Sequence, residues 1–200
     1  MSYIETVPED SATGPVAEMY EVDRQVFGEL PNLTRAFSLR PGVYAAWRNL
    51  NAAVKANMDL RRYELVTVAA ARRLRSSYCA LAHGTILLDK FLGPDEVRAV
   101  VSDHHAAGLD AVDVAVMDLA GKVVDDATSV TQADVDHLRS LGLSDADVAD
   151  VVYAASARSF FTRVLDGLGA QLDAQTADAL PAELLDSMIV GRRVADRHDT

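Results

Sequence analysis

The sequence predicts an all-α fold, and three observations carry that prediction. Apolar residues recur three, four and seven positions apart along most of the chain, the repeat of one helix face. No long stretch alternates with period two, and no Asn-Gly or Asp-Gly turn joins strand-like runs; Asp166-Gly167 lies inside a helical pattern. Aromatic residues are only 6% of the chain while alanine is frequent, which suits close helix packing better than a β-sandwich. The pattern yields about eight to ten helices. Two hundred residues, half of them hydrophobic, fit one domain with a substantial core, residues 1–200, or two small fused helical repeats.

Residues 1–14 read as an irregular lead-in. Val16–Phe27 carries Val16, Met19, Tyr20, Val22, Val26 and Phe27 at helical spacing, with Asp23 interrupting the stripe. Gly28, Pro31 and Asn32 break the pattern, and Leu33–Leu39 is a short helical turn. Pro41 suits the first position of the next helix, Val43–Met58. Leu60–Leu74 has two apolar sides. The chain turns at Arg75–Ser77, where Ser76 or Ser77 can cap the following helix, Ser77–Phe91. Gly93 stops that helix and Pro94-Asp95-Glu96 opens another, which runs on over Val97–Ala106. Val112–Asp126, Thr131–Leu141 and Ser144–Leu168 follow; Thr131/Asp134 and Ser144/Asp147 have the spacing of capping boxes. A tail helix over Pro181–Arg193 is amphipathic, and Asp196–Thr200 is expected to fray.

The net charge of −11 argues against nucleic acid or an anionic membrane as the main partner. A single cysteine rules out an intrachain disulfide and suits a reducing compartment, the cytoplasm. The acidic start does not read as a signal peptide, and no apolar run is long enough for a membrane span. No phosphate loop or metal set is apparent, so no cofactor or metal is expected. His104 and His105, taken as helical neighbours, point about 100° apart and read as surface or interface residues. His137 and His198 sit in polar surroundings and read as solvated.

One stretch concentrates chemistry: Glu64 to His83. Glu64 has Thr67, Val68 and Ala71 on its own helix face, an uncharged stripe. A carboxylate there is paired or functional, and a hydrogen-bonded core glutamate is the simpler account. Cys79, the only cysteine, falls in the first turn of its helix, where unpaired amides favour a thiolate. His83 lies four residues on, on the same face. Antiparallel helices joined at Arg75–Ser77 bring Glu64 level with His83 or a turn beyond. Acid, imidazole and thiol together make a proton-relay site; a buried, inert cysteine is the plain alternative. Arg61, Arg62, Arg72, Arg73 and Arg75 read as ion-pair partners, with one able to hold a substrate carboxylate. Asp150–Gly169 echoes Glu64–His83 in its alanine-rich half, but has Leu165 and Gly169 where Cys79 and His83 stand.

The series Glu64, Ser76-x-x-Cys79-x-x-x-His83 resembles the signature of the alkylhydroperoxidase D-like, or carboxymuconolactone decarboxylase, family. Pro31-Asn32, Arg35, Pro41 and the Trp47–Val54 helix resemble the lead-in of its peroxidase-related members. The likeness covers Val16 to Asp126 and weakens over 144–193. It implies an alkylhydroperoxidase D-like helical bundle and homo-oligomers such as trimers, hexamers or dimers. It also implies thiol-dependent reduction of a hydroperoxide at the expense of an external thiol, with Glu64 and His83 as the relay and Cys79 as the thiol. Ser76 stands where the first cysteine of the family motif belongs, so a two-thiol cycle within one chain is unavailable. Tyr78 either donates to the same pocket or only packs. The resemblance leaves two other outcomes: a non-redox enzyme acting on a small carboxylated lactone, or a degenerate helical oligomer that binds a ligand or protein.

Overall fold

The computed structural model describes residues 2–178 and 180–195. Among these residues every regular element is helical: α1 (Gly14–Phe27), α2 (Asn32–Ala36), α3 (Pro41–Lys55), α4 (Leu60–Arg73), α5 (Ser77–Lys90), α6 (Pro94–Ser102), α7 (Ala111–Asp126), α8 (Gln132–Ser140), α9 (Asp145–Leu168), α10 (Ala174–Asp178) and α11 (Ala182–Met188), with short 3₁₀ turns at Glu9–Ser11 and Ala127–Ser129. The predicted start signals act as such. Pro41 and Pro94 begin α3 and α6, and capping boxes at Thr131/Asp134 and Ser144/Asp147 open α8 and α9. No helix among the described residues is long and apolar enough to cross a membrane.

Helix α4 is the axis of the molecule. It packs against α7, α5 and α9. Its residues from Tyr63 to Ala71 are buried without a break, which accounts for the two apolar sides seen in the sequence. A helix enclosed all round needs small side chains where neighbours approach, and Ala69, Ala70 and Ala71 supply them. Asp23, the break in the α1 stripe, is buried as well. Its carboxylate accepts from Thr34, from Tyr44 at 2.7 Å and from Arg48 at 2.6 Å, tying α1 to α2 and α3.

Several boundaries differ from expectation. Helix α6 stops at Ser102, so His104 and His105 lie in the turn beyond it. The tail helix ends at Met188, after which residues 189–195 run irregularly, and α10 was not anticipated. Residues 150–169 form part of one unbroken helix, whereas 64–83 span two helices and a turn. The echo between them therefore reflects alanine content and not a repeated hairpin. His198 and the Asp196–Thr200 segment lie outside the described residues.

The α4–α5 turn sets the register of the later site. Arg75 takes the left-handed conformation at φ 57°, and the Ser76 N–H bonds to the Ala71 carbonyl at 2.9 Å, closing the end of α4. The C-terminal segment clasps this turn. Ser77 Oγ accepts from the backbone N–H of Val190 at 3.1 Å and of Gly191 at 3.0 Å, and Arg75 Nε donates to the Val190 carbonyl at 3.3 Å. A β-carbon at Gly191 would lie 1.9 Å from the Arg75 carbonyl oxygen, so only glycine permits this approach. Gly191→Ala is expected to lower stability by about 1–3 kcal/mol, read as a reduced urea midpoint with an unchanged slope.

Candidate active site

The buried carboxylate of α4 meets the imidazole of α5. Glu64 is fully inaccessible, and its Oε2 lies 2.5 Å from His83 Nδ1. The antiparallel helix pair produces this contact, since the Arg75 turn brings the second turn of α4 beside the second turn of α5. The other oxygen, Glu64 Oε1, has no hydrogen-bond partner and stands 4.0 Å from Lys55 Nζ at the end of α3. With Nδ1 committed to Glu64, Nε2 is the nitrogen left to exchange a proton. Burial pushes the His83 pKa down to about 4, helped by the Arg158 charge and opposed by the hydrogen bond to Glu64. His83 is therefore neutral at pH 7 and able to accept a proton.

Cys79 occupies the third position of α5 and is 1% exposed. Its sulfur does not hydrogen-bond to His83. Its partners come from α9: Thr162 Oγ1 at 3.3 Å and Arg158 Nη1 at 3.8 Å. The thiol and the imidazole, expected on one face of α5, are thus not directly bonded, and Arg158 acts on both. Arg158 is itself buried. Its Nη2 donates to the Tyr63 hydroxyl at 3.1 Å, the Tyr63 hydroxyl donates to Asn51 Oδ1 at 2.6 Å, and its Nε has no partner. Trp47 and Phe161 place their rings 5.6 Å and 5.5 Å from the guanidinium carbon. No carboxylate of a described residue pairs with Arg158. Burial works against its charge, but Cys79 and Tyr63 facing it leave its pKa raised.

The remaining sequence candidates lie elsewhere. Ser76 holds the N-cap position of α5, yet its buried hydroxyl makes no capping bond, and the neighbouring Ser77 hydroxyl serves the tail clasp. The Tyr78 phenol turns away from the sulfur: it accepts from the Leu33 N–H at 3.2 Å and donates to Asp173 at 3.1 Å. Burial, together with the Asp173 charge, raises its pKa well above the ordinary value, so it stays a neutral packing residue. The arginine group serves ion pairs and carbonyls, with Arg61 on Asp113, Arg62 on Asp147, Arg73 on Asp125 and Arg72 on the Ser187 carbonyl. Arg158 and Thr162 were not singled out in the sequence. A signal for them exists, because Ala154, Ala155, Phe161, Thr162 and Leu165 surround Arg158 at helical spacing, the same uncharged stripe that marks Glu64.

Residues 41–122 match the model of the carboxymuconolactone decarboxylase family. No curated protein matches the chain. Among solved structures, it is similar to an alkylhydroperoxidase AhpD core, an uncharacterized peroxidase-related protein from Ralstonia eutropha JMP134. The TM-score is 0.78 with 20% identity, over 96% of this chain and 98% of that one. A peroxidase-related protein from Silicibacter sp. TM1040 gives a TM-score of 0.73 and 21% identity, over 86% of this chain and 90% of that one. The debrominase Bmp8, as its C82A variant with 2,3,4-tribromopyrrole, gives 0.74 and 14%, over 94% of this chain and 100% of that one.

The His83 ring should titrate by NMR near pH 4 instead of near 6.5. Because the folded-state value is the lower one, the neutral ring favours the fold above pH 6.5, and that contribution is lost as pH falls from 6.5 towards 4. Glu64→Gln should move the ring's titration lower still, since the carboxylate is the group that raises it.

Proposed function

We propose that this chain, which carries the carboxymuconolactone decarboxylase family segment at residues 41–122 and an alkylhydroperoxidase D-like fold, reduces small hydroperoxides by a one-cysteine mechanism at Cys79. The observation that carries this reading is Arg158: a buried guanidinium with no carboxylate partner, directed at the only thiol in the chain. A cation facing a cysteine favours the thiolate, which is the nucleophilic form. Burial strengthens that attraction because little water screens it.

The Cys79 proton passes to His83 Nε2 through a bridging water, since sulfur and ring are not directly bonded. Glu64 fixes the tautomer by accepting from Nδ1 and steadies the imidazolium that forms. The sulfur then attacks one peroxide oxygen and the O–O bond breaks. The leaving alkoxide takes the proton from His83 and departs as the alcohol. Sulfur loses the two electrons that the peroxide gains, and Cys79 becomes a sulfenic acid. Two buried oxygens without partners, Glu64 Oε1 and Thr67 Oγ1, sit one turn apart on α4 and suit the O–H of a bridging water or the substrate.

An external thiol attacks the sulfenic sulfur and releases water, and a second thiol frees Cys79 from the mixed disulfide. Because Cys79 is 1% exposed, the reductant in this reading is a small thiol and not a protein cysteine. The reading extends to a homo-oligomer. Val43 and Leu50 of α3 and Phe160 of α9 expose apolar surface beside Trp47, a suitable contact face.

A second reading rests on the same unpaired guanidinium. Arg158 would bind the carboxylate of a small lactone, with Glu64–His83 as acid and base and no role for the thiol. Cys79→Ser, which leaves the space beside Arg158 open, separates the two: peroxide turnover is lost under the first reading, and lactone turnover survives under the second.

Wild-type protein treated with hydroperoxide should label with a sulfenate trap, and Cys79→Ser should not. His83→Ala and Glu64→Gln are each expected to slow sulfenate formation by about 10²-fold or more. Wild type that fails to label, with peroxide turnover unchanged in Cys79→Ser, would end the proposal.

A further inference from the structure

We propose that His104, His105 and Asp118, with Asp103 behind them, bind a divalent transition-metal ion of the zinc class. The two histidines follow α6 in a turn, so the divergence of helical neighbours does not apply to them. Their ring centroids lie 4.2 Å apart, and both Nε2 atoms converge on one carboxylate of α7. His104 Nε2 is 2.8 Å and His105 Nε2 3.1 Å from Asp118. Asp103 Oδ1 accepts from the His105 backbone N–H at 3.0 Å and stands 3.3 Å from Nδ1 of the same ring. One ligand atom each from Asp103, His104 and His105 falls within 4.8 Å of the others.

A carboxylate only accepts, and a neutral imidazole carries a single N–H. Both nitrogens of His105 nevertheless face carboxylates. A second ring proton meets this demand, the imidazolium donating to both carboxylates, and so does a metal ion between Nε2 and Asp118. The ion takes the Nε2 lone pair while Nδ1–H donates to Asp103, the carboxylate–histidine–metal arrangement that orients and strengthens a ligand. Metal–ligand bonds of about 2.0–2.1 Å set a tetrahedron edge of about 3.3–3.4 Å, so an ion would open the 2.8 and 3.1 Å contacts to Asp118 by about 0.2–0.6 Å.

Two imidazoles select zinc-class ions over magnesium or calcium, which prefer oxygen. Two carboxylates balance the double charge. The four residues line a cleft of about 310 Å³ shared with Arg72 and Arg73. Those arginines are engaged elsewhere, Arg73 with Asp125 at 3.3 Å and Arg72 with the Ser187 carbonyl at 3.1 Å. The bound ion would tie the loop after α6 to α7, independently of the chemistry at Cys79.

Titration calorimetry of the tag-free, chelator-stripped full chain with zinc chloride tests this. Wild type and Cys79→Ser should each bind one equivalent. The double variant His104→Ala/His105→Ala and Asp118→Asn should bind at least about tenfold more weakly, and Asp103→Asn about 10–100-fold more weakly. Cobalt(II) should give the intense visible bands of a tetrahedral site, and magnesium should give no heat of binding. Wild type that binds no zinc, or a folded double variant that binds it as tightly as wild type, overturns the proposal.

Discussion

The rest of the structure depends on the enclosure of α4. The middle of a helix surrounded by α5, α7 and α9, Tyr63 to Ala71, has no face on which to leave a charge in water. Glu64 must therefore be compensated inside the protein, because an isolated carboxylate in such surroundings costs several kcal/mol. The compensation comes from two directions. His83 supplies a hydrogen bond from α5, and the half-exposed Lys55 supplies charge from the end of α3. The same packing that isolates the carboxylate thus gathers a proton carrier, a thiol and a positive charge around it.

Under the proposed reaction, this arrangement divides the work of activating a cysteine. In a direct thiol–imidazole pair, one group both removes the proton and faces the resulting anion. Here the two tasks fall to different side chains. His83, held neutral by burial and oriented by Glu64, is available as the base, while Arg158 and Thr162 attend the sulfur. The cation itself is held by Tyr63 and the faces of Trp47 and Phe161, and not by an acid. An acid in that place would cancel the field at the sulfur, so the aromatic cradle preserves it.

The residues between Ser76 and Tyr78 serve architecture. Ser77 binds the backbone at Val190 and Gly191, and Tyr78 bridges Leu33 and Asp173. These bonds attach α2 and the C-terminal segment to the start of α5. The left-handed Arg75 then holds the register between α4 and α5 from which the Glu64–His83 contact follows.

The all-helical class, most helix starts and the Glu64–His83 pairing were legible in the amino-acid sequence, because each depends on local spacing: apolar period, capping residues, and two residues at matched heights on helices joined by a short turn. Glu64 stood out as a lone charge on an uncharged stripe. Arg158 satisfied the same test but lies far along the chain, and spacing says nothing about which distant helix packs against which. Only the tertiary structure decided that α9 lies against α4 and brings Arg158 and Thr162 to the sulfur, that Tyr78 points away from it, and that a helix ends early enough to turn His104 and His105 onto one carboxylate. Local order follows from nearest neighbours in the chain, whereas long-range contacts follow from how whole surfaces fill space, and no short motif records that.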